Sequence, residues 1–295
     1  GGSGFIGSNL GITLLAYHYD VYSFDMLYPN IRIEGVNYII GDFFDDFTLN
    51  MVIKGMDYVV HSLSTVNPGN SNEKYMQGYE RDFIQTVKLC EILIKENIKL
   101  LFISSGGTIY GDKEIQPIRE DVLPNPINHY GNLKLCIENT ISTFNKQENA
   151  NMMIARISNP YGPGQDFTRG VGFVDAALKK AITKQPIEIW GNGSVVRDYI
   201  YIDDVCQMLE KLLEYNSDEV IFNISSGHGT SQNNIIEILH DMGLEEQVIY
   251  KDARSVDAKK VVLDNSKIMR VYHKEIISIT EGIDKYYHWL INFAK

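Results

Sequence analysis

The chain has 295 residues, 44% of them apolar, which is enough to bury one large core or a main domain with a smaller lobe. Its formal charge of −11, with no Lys/Arg block, argues against nucleic acid or an anionic membrane surface as a partner, since neither tolerates an acidic face without a dedicated basic patch. Three widely spaced cysteines (Cys90, Cys136, Cys206) in apolar helical patterns read as reduced core residues, and no run approaches the length of a membrane span, so the expected compartment is the cytoplasm.

The first segment is Gly1-Gly2-Ser3-Gly4-Phe5-Ile6-Gly7. Main-chain N–H groups at a helix N-terminus hold a pyrophosphate only where side chains do not block its approach. Gly1, Gly4 and Gly7 supply that access, with Phe5 and Ile6 in the same phosphate loop. The pattern predicts a helix over Ser8–Tyr19 and a strand over Val21–Asp25, with Asp25 at its carboxyl end. An acid there accepts hydrogen bonds from ribose hydroxyls and repels a 2′-phosphate, so the expected cofactor is NAD, not NADP. A loop of this type is launched from a central parallel strand, and a short apolar strand is therefore expected before Gly1.

Further apolar runs predict strands over Val36–Ile40, Tyr58–Ser62, Lys99–Ser104 and Met152–Ile157, separated by helices over Tyr79–Glu96 and Tyr130–Phe144. This alternation implies an α/β fold, a Rossmann-type doubly wound parallel sheet with helices on both faces. After Gly164 the pattern loosens into short segments. A smaller C-terminal α/β substrate lobe is expected over 166–295, with 1–165 as the dinucleotide-binding domain and a return to the main sheet near Asp198–Ser225.

Ligands of open parallel sheets sit outside the carboxyl ends of the strands, which singles out three places. Asp42 could accept the adenine amino group and Phe43 cover the base, although a helix N-cap by Asp42 or Asp45 explains the acid equally well. Ser62-Leu63-Ser64 is short and polar enough to pass close to the cofactor, whereas His61 reads as a packed strand residue. Ser104-Ser105-Gly106-Gly107-Thr108-Ile109-Tyr110-Gly111 ends the next strand in hydroxyls and glycines, where a small substrate could reach a nicotinamide. Tyr130 and Lys134 lie one helical turn apart on one face, so an ammonium can sit near a phenol. Lowering a phenol from a pKa of about 10 by roughly 3 units takes about 4 kcal/mol of preferential phenolate stabilisation. Lys134, with the positive charge of oxidised nicotinamide, is the expected source, and it could also bond the nicotinamide ribose.

With these features in place, the chain resembles the extended short-chain dehydrogenases/reductases of the NAD-dependent nucleotide-sugar epimerase/dehydratase family, most closely the UDP-glucose 4-epimerase branch. The resemblance extends through Arg156-Ile157-Ser158-Asn159-Pro160-Tyr161-Gly162, Trp190-Gly191-Asn192-Gly193, Arg197-Asp198-Tyr199 and Arg254-x-x-Asp257. It implies a UDP- or dTDP-hexose as substrate, no metal, cell-surface polysaccharide supply as the pathway, and a homodimer. The implied dimer helices contain Val87-Leu89-Cys90 and Leu133-Cys136-Ile137. It also implies that Asn159 and Arg197 meet the diphosphate, that Trp190 lies along the base, and that Arg254 and Asp257 close over the nucleotide. A planar, permanently charged donor suits a diphosphate in an acidic protein. The competing reading of Arg197 and Arg254 is a pair of surface salt bridges with Asp198 and Asp257.

Two departures from the family pattern stand out. Gly106 occupies the place of the usual catalytic Ser or Thr, so Thr108 is assigned that role, with Ser105 as a neighbouring substrate contact. Glu80-Arg81-Asp82 replaces an Asn-rich turn, and no cofactor contact is assigned there. The implied reaction is removal of the 4-hydroxyl proton by Tyr130 as hydride leaves C4, then return of the hydride to the opposite face of a 4-keto sugar. Dehydrating relatives carry carboxylates where Gly107 and Thr108 stand here, which disfavours elimination. A 4-ketoreductase remains open, as does a non-catalytic NAD-binding sensor.

Overall fold

The computed structural model describes residues 1–166, 172–244, 247–252 and 258–293. Helix α1 (Phe5–Ala16) is followed by β1 (Tyr22–Asp25), β2 (Asn37–Ile40), α2 (Asp46–Ile53) and β3 (Tyr58–His61). The helix expected over Ser8–Tyr19 thus starts a turn earlier, because Gly4 is its N-cap and Phe5, Ile6 and Gly7 form the first turn. It stops at Ala16, short of His18 in the left-handed region at φ 65°. A helical stretch comes next: α3 (Tyr75–Gln77), a π turn (Gly78–Phe83) and α4 (Ile84–Glu96). It ends at Asn97 with φ 54°, a residue type that tolerates the left-handed cap. Then come β4 (Lys99–Ser105), the short α5 (Gly106–Ile109), α6 (His129–Glu148), β5 (Met152–Ile157) and β6 (Asn159–Tyr161).

The remainder comprises α7 (Phe173–Ile182), β7 (Ile187–Trp190), β8 (Val196–Tyr201), α8 (Ile202–Glu214), β9 (Ile221–Ile224), β10 (Gly229–Ser231), α9 (Gln232–Asp241), β11 (Val248–Lys251), β12 (Lys260–Val261), α10 (Ser266–Tyr272) and α11 (Ile279–Phe293). Strands β3-β4-β5-β9 form a parallel sheet in that order, and β1 pairs with β2, also in parallel. Strand β8 joins β6, β10 and β12, and β7 pairs with β11. Strand β8 lies in this outer sheet, so the chain returns to the main sheet through α8 and β9.

Successive residues of β4 and β5 point to opposite faces, and both faces are covered, which is why these strands are continuous apolar runs. Leu101, Ile103, Met153 and Ala155 pack under α8 with Val205 and Leu209. Leu100, Phe102, Met152 and Ile154 pack under α4 and α6 with Leu89, Leu93, Leu133 and Ile137. Leu89, Cys90, Leu133 and Ile137 of these two helices are thus buried in this chain's own core. A third core joins α7, α9 and α11 in the lobe. Between β1 and β3, Val21 and Ser23 on one side and Tyr58 and Val60 on the other bound a slot of about 500 Å³ beneath Leu10 and Leu14 of α1. Among the described residues, no helix is long and apolar enough to cross a membrane.

Two buried polar hubs lock these layers together. Arg156 of β5 forms a 2.6 Å ion pair with Glu138 of α6 and donates to the Tyr110 hydroxyl at 2.8 Å. Tyr110 donates in turn to the side-chain oxygen of Asn223 in β9. Asp198 of β8 is fully buried and accepts from the Ser226, Gly227 and Leu263 amides and the Ser226 hydroxyl, tying the lobe to the end of β9. Removing one partner of a buried ion pair leaves the other charge uncompensated. Glu138→Ala is expected to destabilise the fold by about 3–5 kcal/mol, measured by denaturant unfolding.

Candidate active site

The glycine loop sits at the ends of β1 and β3. The Gly2 amide donates to the Phe24 carbonyl at 3.2 Å, and the Gly1 carbonyl accepts from the Ser62 hydroxyl at 3.2 Å. A Cβ on Gly7 would lie 2.5 Å from the Gly1 carbonyl oxygen, and one on Gly1 would lie 2.7 Å from the Leu63 amide nitrogen. Both glycines are thus required by close backbone packing. At Gly4 the nearest atom to such a Cβ is the Gly1 carbonyl oxygen at 3.3 Å. Gly4 caps α1 with no side-chain acceptor, so the helix N-terminus keeps first-turn amides for an anion. Asp25 accepts the Ser3 amide on one oxygen and the Met26 amide on the other. Each carboxylate oxygen has a second lone pair, leaving capacity for a ribose diol. The donor set and the side-chain-free approach fit a dinucleotide.

The other strand ends differ in detail from the sequence expectation. Asp45, not Asp42, is the N-cap of α2, accepting from the Thr48 amide; Asp42 instead closes a local turn onto the Phe44 amide. The Phe43 ring is turned inward and stacked on His61 at 5.0 Å, so it is not free to cover a base. His61 is packed as expected. It bonds Thr86 at 2.9 Å, and burial, then the Lys134 charge, hold it well below the usual imidazole range. Ser62 and Ser64 both use their hydroxyls within the protein, Ser62 on Gly1 and Ser64 on Asp82 at 2.9 Å. The Ser104 hydroxyl is buried without a partner among the described residues, an orphan group at the end of β4.

Tyr130 lies in the first turn of α6, a start fixed by Asn128, whose side chain accepts from the Gly131 amide at 2.8 Å. A Cβ on Gly131 would fall 2.5 Å from the Thr108 carbonyl oxygen. That close approach seats the tyrosine turn against α5. On α5, Thr108 donates to the Ser105 hydroxyl at 2.9 Å, so the two candidates form one hydroxyl pair. A side chain on Gly106 would meet Leu263 at 2.3 Å, which rules out a serine in the usual place without repacking. Lys134 is buried, donates to the Ile103 carbonyl at 3.1 Å, and holds its ammonium 5.5 Å from the Tyr130 ring centre. Burial lowers the Lys134 amine to about 8, against the opposing pull of Asp82 and Glu138. The phenol departs from the sequence expectation: burial, then Asp82, push Tyr130 up to about 12. Lys134 alone does not make it acidic.

Across the cleft, Asn159 donates to the Asp198 carbonyl at 3.1 Å, and its side-chain oxygen would be 3.7 Å from a Cβ on Gly107. Arg197 donates to the Val196 and Ala258 carbonyls, while the Asp198 carboxylate is engaged with Ser226, Gly227 and Leu263. The competing reading, a surface pair between Arg197 and Asp198, is therefore not what the structure forms. Trp190 ends β7, partly exposed, with the Lys251 ammonium 5.5 Å from its ring centre. Arg254 and Asp257 lie outside the described residues.

Residues 1–225 match the NAD dependent epimerase/dehydratase family. The chain belongs to that family. A Methanocaldococcus jannaschii protein provisionally named UDP-glucose 4-epimerase is 31% identical over 99% of this chain and 97% of its own length. An Escherichia coli dTDP-4-dehydro-6-deoxyglucose reductase is 30% identical over 97% of this chain and 94% of its own. The crystal structure of Thermotoga maritima UDP-glucose 4-epimerase with UDP-glucose superposes at a TM-score of 0.93, with 28% identity, over 100% of this chain and 98% of that one. The fold is thus the Rossmann α/β fold, the chain is an enzyme of this epimerase group, and NAD is its cofactor.

Two positions of this family member escaped the sequence reading. Asp82 is a buried carboxylate whose charge acts on Tyr130 and Lys134, and Gly131 lets the tyrosine turn pack on the Thr108 backbone. A signal for Gly131 exists, because a glycine in a helix costs about 1 kcal/mol relative to alanine and needs a packing reason. Gly131→Ala is expected to force α5 from α6 and lower turnover on the order of a hundredfold, while NAD binding, followed by calorimetry, stays within a few-fold.

Proposed function

We propose that the protein is an NAD-dependent 4-epimerase of a UDP-hexose, glucose/galactose or their N-acetyl forms, acting through a transient 4-keto sugar. One observation carries this reading: the Tyr130 turn is packed against the backbone of Thr108, whose hydroxyl is paired with that of Ser105, at the carboxyl end of β4. When bound, NAD supplies the acceptor for the C4 hydride and gives it back. The chain's residues do the rest. Gly1, Gly4 and the α1 amides of Phe5, Ile6 and Gly7 hold the pyrophosphate. Asp25 holds the adenosine ribose, and Asp42 with the Phe43 backbone meets the adenine. Ser62, Leu63, Ser64 and Ser104 line the nicotinamide half, where Lys134 bonds the ribose.

Tyr130 takes the 4-hydroxyl proton and returns it, with Thr108 and Ser105 orienting the hydroxyl. Asn159 and Arg197 anchor the diphosphate so that the keto sugar can turn without leaving. Trp190 lies along the base, and Arg254 with Asp257 closes over the nucleotide. Gly107 and Thr108 offer no carboxylate for elimination. A homodimer would use outward residues of the α3–α4 stretch, such as Tyr75, Met76 and Ile84, which are exposed. Three unpaired cysteines suit a reducing, cytoplasmic setting. A second reading, a 4-ketoreductase, is favoured by the similarity to the E. coli reductase.

The resting phenol lies near 12, so the wild-type rate should climb as pH rises from 6 to 9 if the base form limits turnover. An epimerase should interconvert UDP-hexoses without net NADH, read by chromatography of the isomers. A reductase would instead consume reduced cofactor one for one. Tyr130→Phe should lower epimerisation by at least about 10²-fold, within the usual range for a lost acid–base group. Wild-type turnover in that variant refutes the assignment.

A further inference from the structure

Asp82 lies on the π turn between α3 and α4, 3% exposed, in a place where the carboxylate has no role in the scheme above. Single-turn π bulges concentrate at functional sites. Gly78 opens the same turn, and a Cβ there would lie 2.9 Å from Leu133 of α6 and 3.1 Å from Val66. That missing side chain lets the π turn press onto the helix that carries Tyr130 and Lys134. The Asp82 carboxylate is held by three neutral donors: the Ser64 hydroxyl at 2.9 Å, and the Thr65 amide and hydroxyl, both at 2.7 Å. Its backbone carbonyl accepts from Thr86, which in turn bonds His61.

The charged and titratable groups around the pair can be enumerated element by element. Glu138, on α6 itself, is matched by the Arg156 guanidinium of β5 at 2.6 Å. His61 of β3 is held neutral by burial. Tyr110, after α5, donates to Asn223 and sits against Arg156. Among the described residues the Asp82 carboxylate is bonded by these three neutral donors, so its charge acts on the neighbours that share its enclosure.

We propose that Asp82 is a positioning residue for the proton-transfer pair: anchored by Ser64 and Thr65, its carboxylate keeps Lys134 charged and sets the pH range in which Tyr130 and Lys134 operate. The physical reason is that a fixed negative charge in an enclosed site favours the ammonium and opposes the phenolate. Both directions agree with the opposing pull on Lys134 and the upward push on Tyr130. The chain thereby holds its phenol protonated until positive charge arrives beside it. This inference rests on the proposed proton-transfer roles of Tyr130 and Lys134, and its first test does not require turnover.

The ultraviolet phenolate difference signal of Tyr130, taken as wild type minus Tyr130→Phe without substrate, should appear at lower pH in Asp82→Asn by about half a unit or more. In the epimerase assay, both limbs of the kcat/KM profile of Asp82→Asn should move to lower pH. Tyr130 ionises more readily and Lys134 loses its proton sooner once the carboxylate charge is gone. Thr65→Val, which loosens the anchor but keeps the charge, should lower the rate with both limbs in place. An Asp82→Asn profile that overlays the wild type after scaling, together with an unmoved phenolate signal, overturns the proposal and leaves Asp82 as a loop fastener. A shifted phenolate signal in a protein inactive on every UDP-hexose supports the positioning role and refutes the epimerase reading instead. If Asp82→Asn does not fold, Asp82→Ser carries the same two measurements.

Discussion

A buried ammonium is the constraint around which the site is arranged. Lys134 is withdrawn from water and donates to the Ile103 carbonyl, at the point where β4 runs into its hydroxyl-rich end. An isolated cation in such a place tends to neutralise, and burial lowers this amine to about 8. What keeps it charged near neutral pH is carboxylate support from two directions, Asp82 from the π turn and Glu138 from its own helix. Glu138 is in turn committed to Arg156, and Arg156 to Tyr110. The Glu138 charge that acts on this side chain is therefore held by hydrogen bonds that reach β5, Tyr110 after α5 and, through Asn223, β9. The same carbonyl contact fixes how far Lys134 can reach, because its head is tethered to the strand whose end carries Ser104 and Ser105.

Much of this was readable from residue order because the features concerned are periodic or local. Apolar runs such as Leu100–Ile103 and Met153–Ala155 are buried on both faces and announce central parallel strands without ambiguity. The Tyr130–Lys134 spacing follows from helix pitch alone. What the sequence misjudged depends on contacts between distant segments. The start of α1 moved to Phe5 because Gly4 packs against Gly1 and caps the helix without a side chain. Phe43 was expected to cover a base, but its ring found His61, eighteen residues on, and went inside. Leu89, Leu133 and Ile137 pack on this chain's own sheet, but a helical apolar stripe has the same appearance in sequence whether it meets another chain or its own sheet. Asp82 was invisible for the opposite reason: nothing in Glu80-Arg81-Asp82 distinguishes a solvated carboxylate from one buried against a catalytic pair, and only the π turn and Gly78 decide it.

Sterics also shape the end of β4. Gly106 sits where a side chain would run into Leu263, and Leu263 is itself pinned because its amide donates to Asp198. A side chain at the end of β4 would thus require the Leu263 side chain to move. The nearest hydroxyls, Ser105 and Thr108, pair with each other on either side of the two glycines. Gly131 lets the tyrosine turn come up against the Thr108 backbone, so the turn that carries the phenol abuts the helix that carries Thr108. A change at one glycine of this group requires compensation at another, since each clears space for a different backbone segment at the same junction. The phenol completes the reasoning. Burial and Asp82 hold it near 12, far above neutrality, so the fold by itself builds an acid and not a base. On the epimerase reading, proton removal then waits for the positive charge of the oxidised cofactor, and the base forms only where a hydride acceptor is already in place.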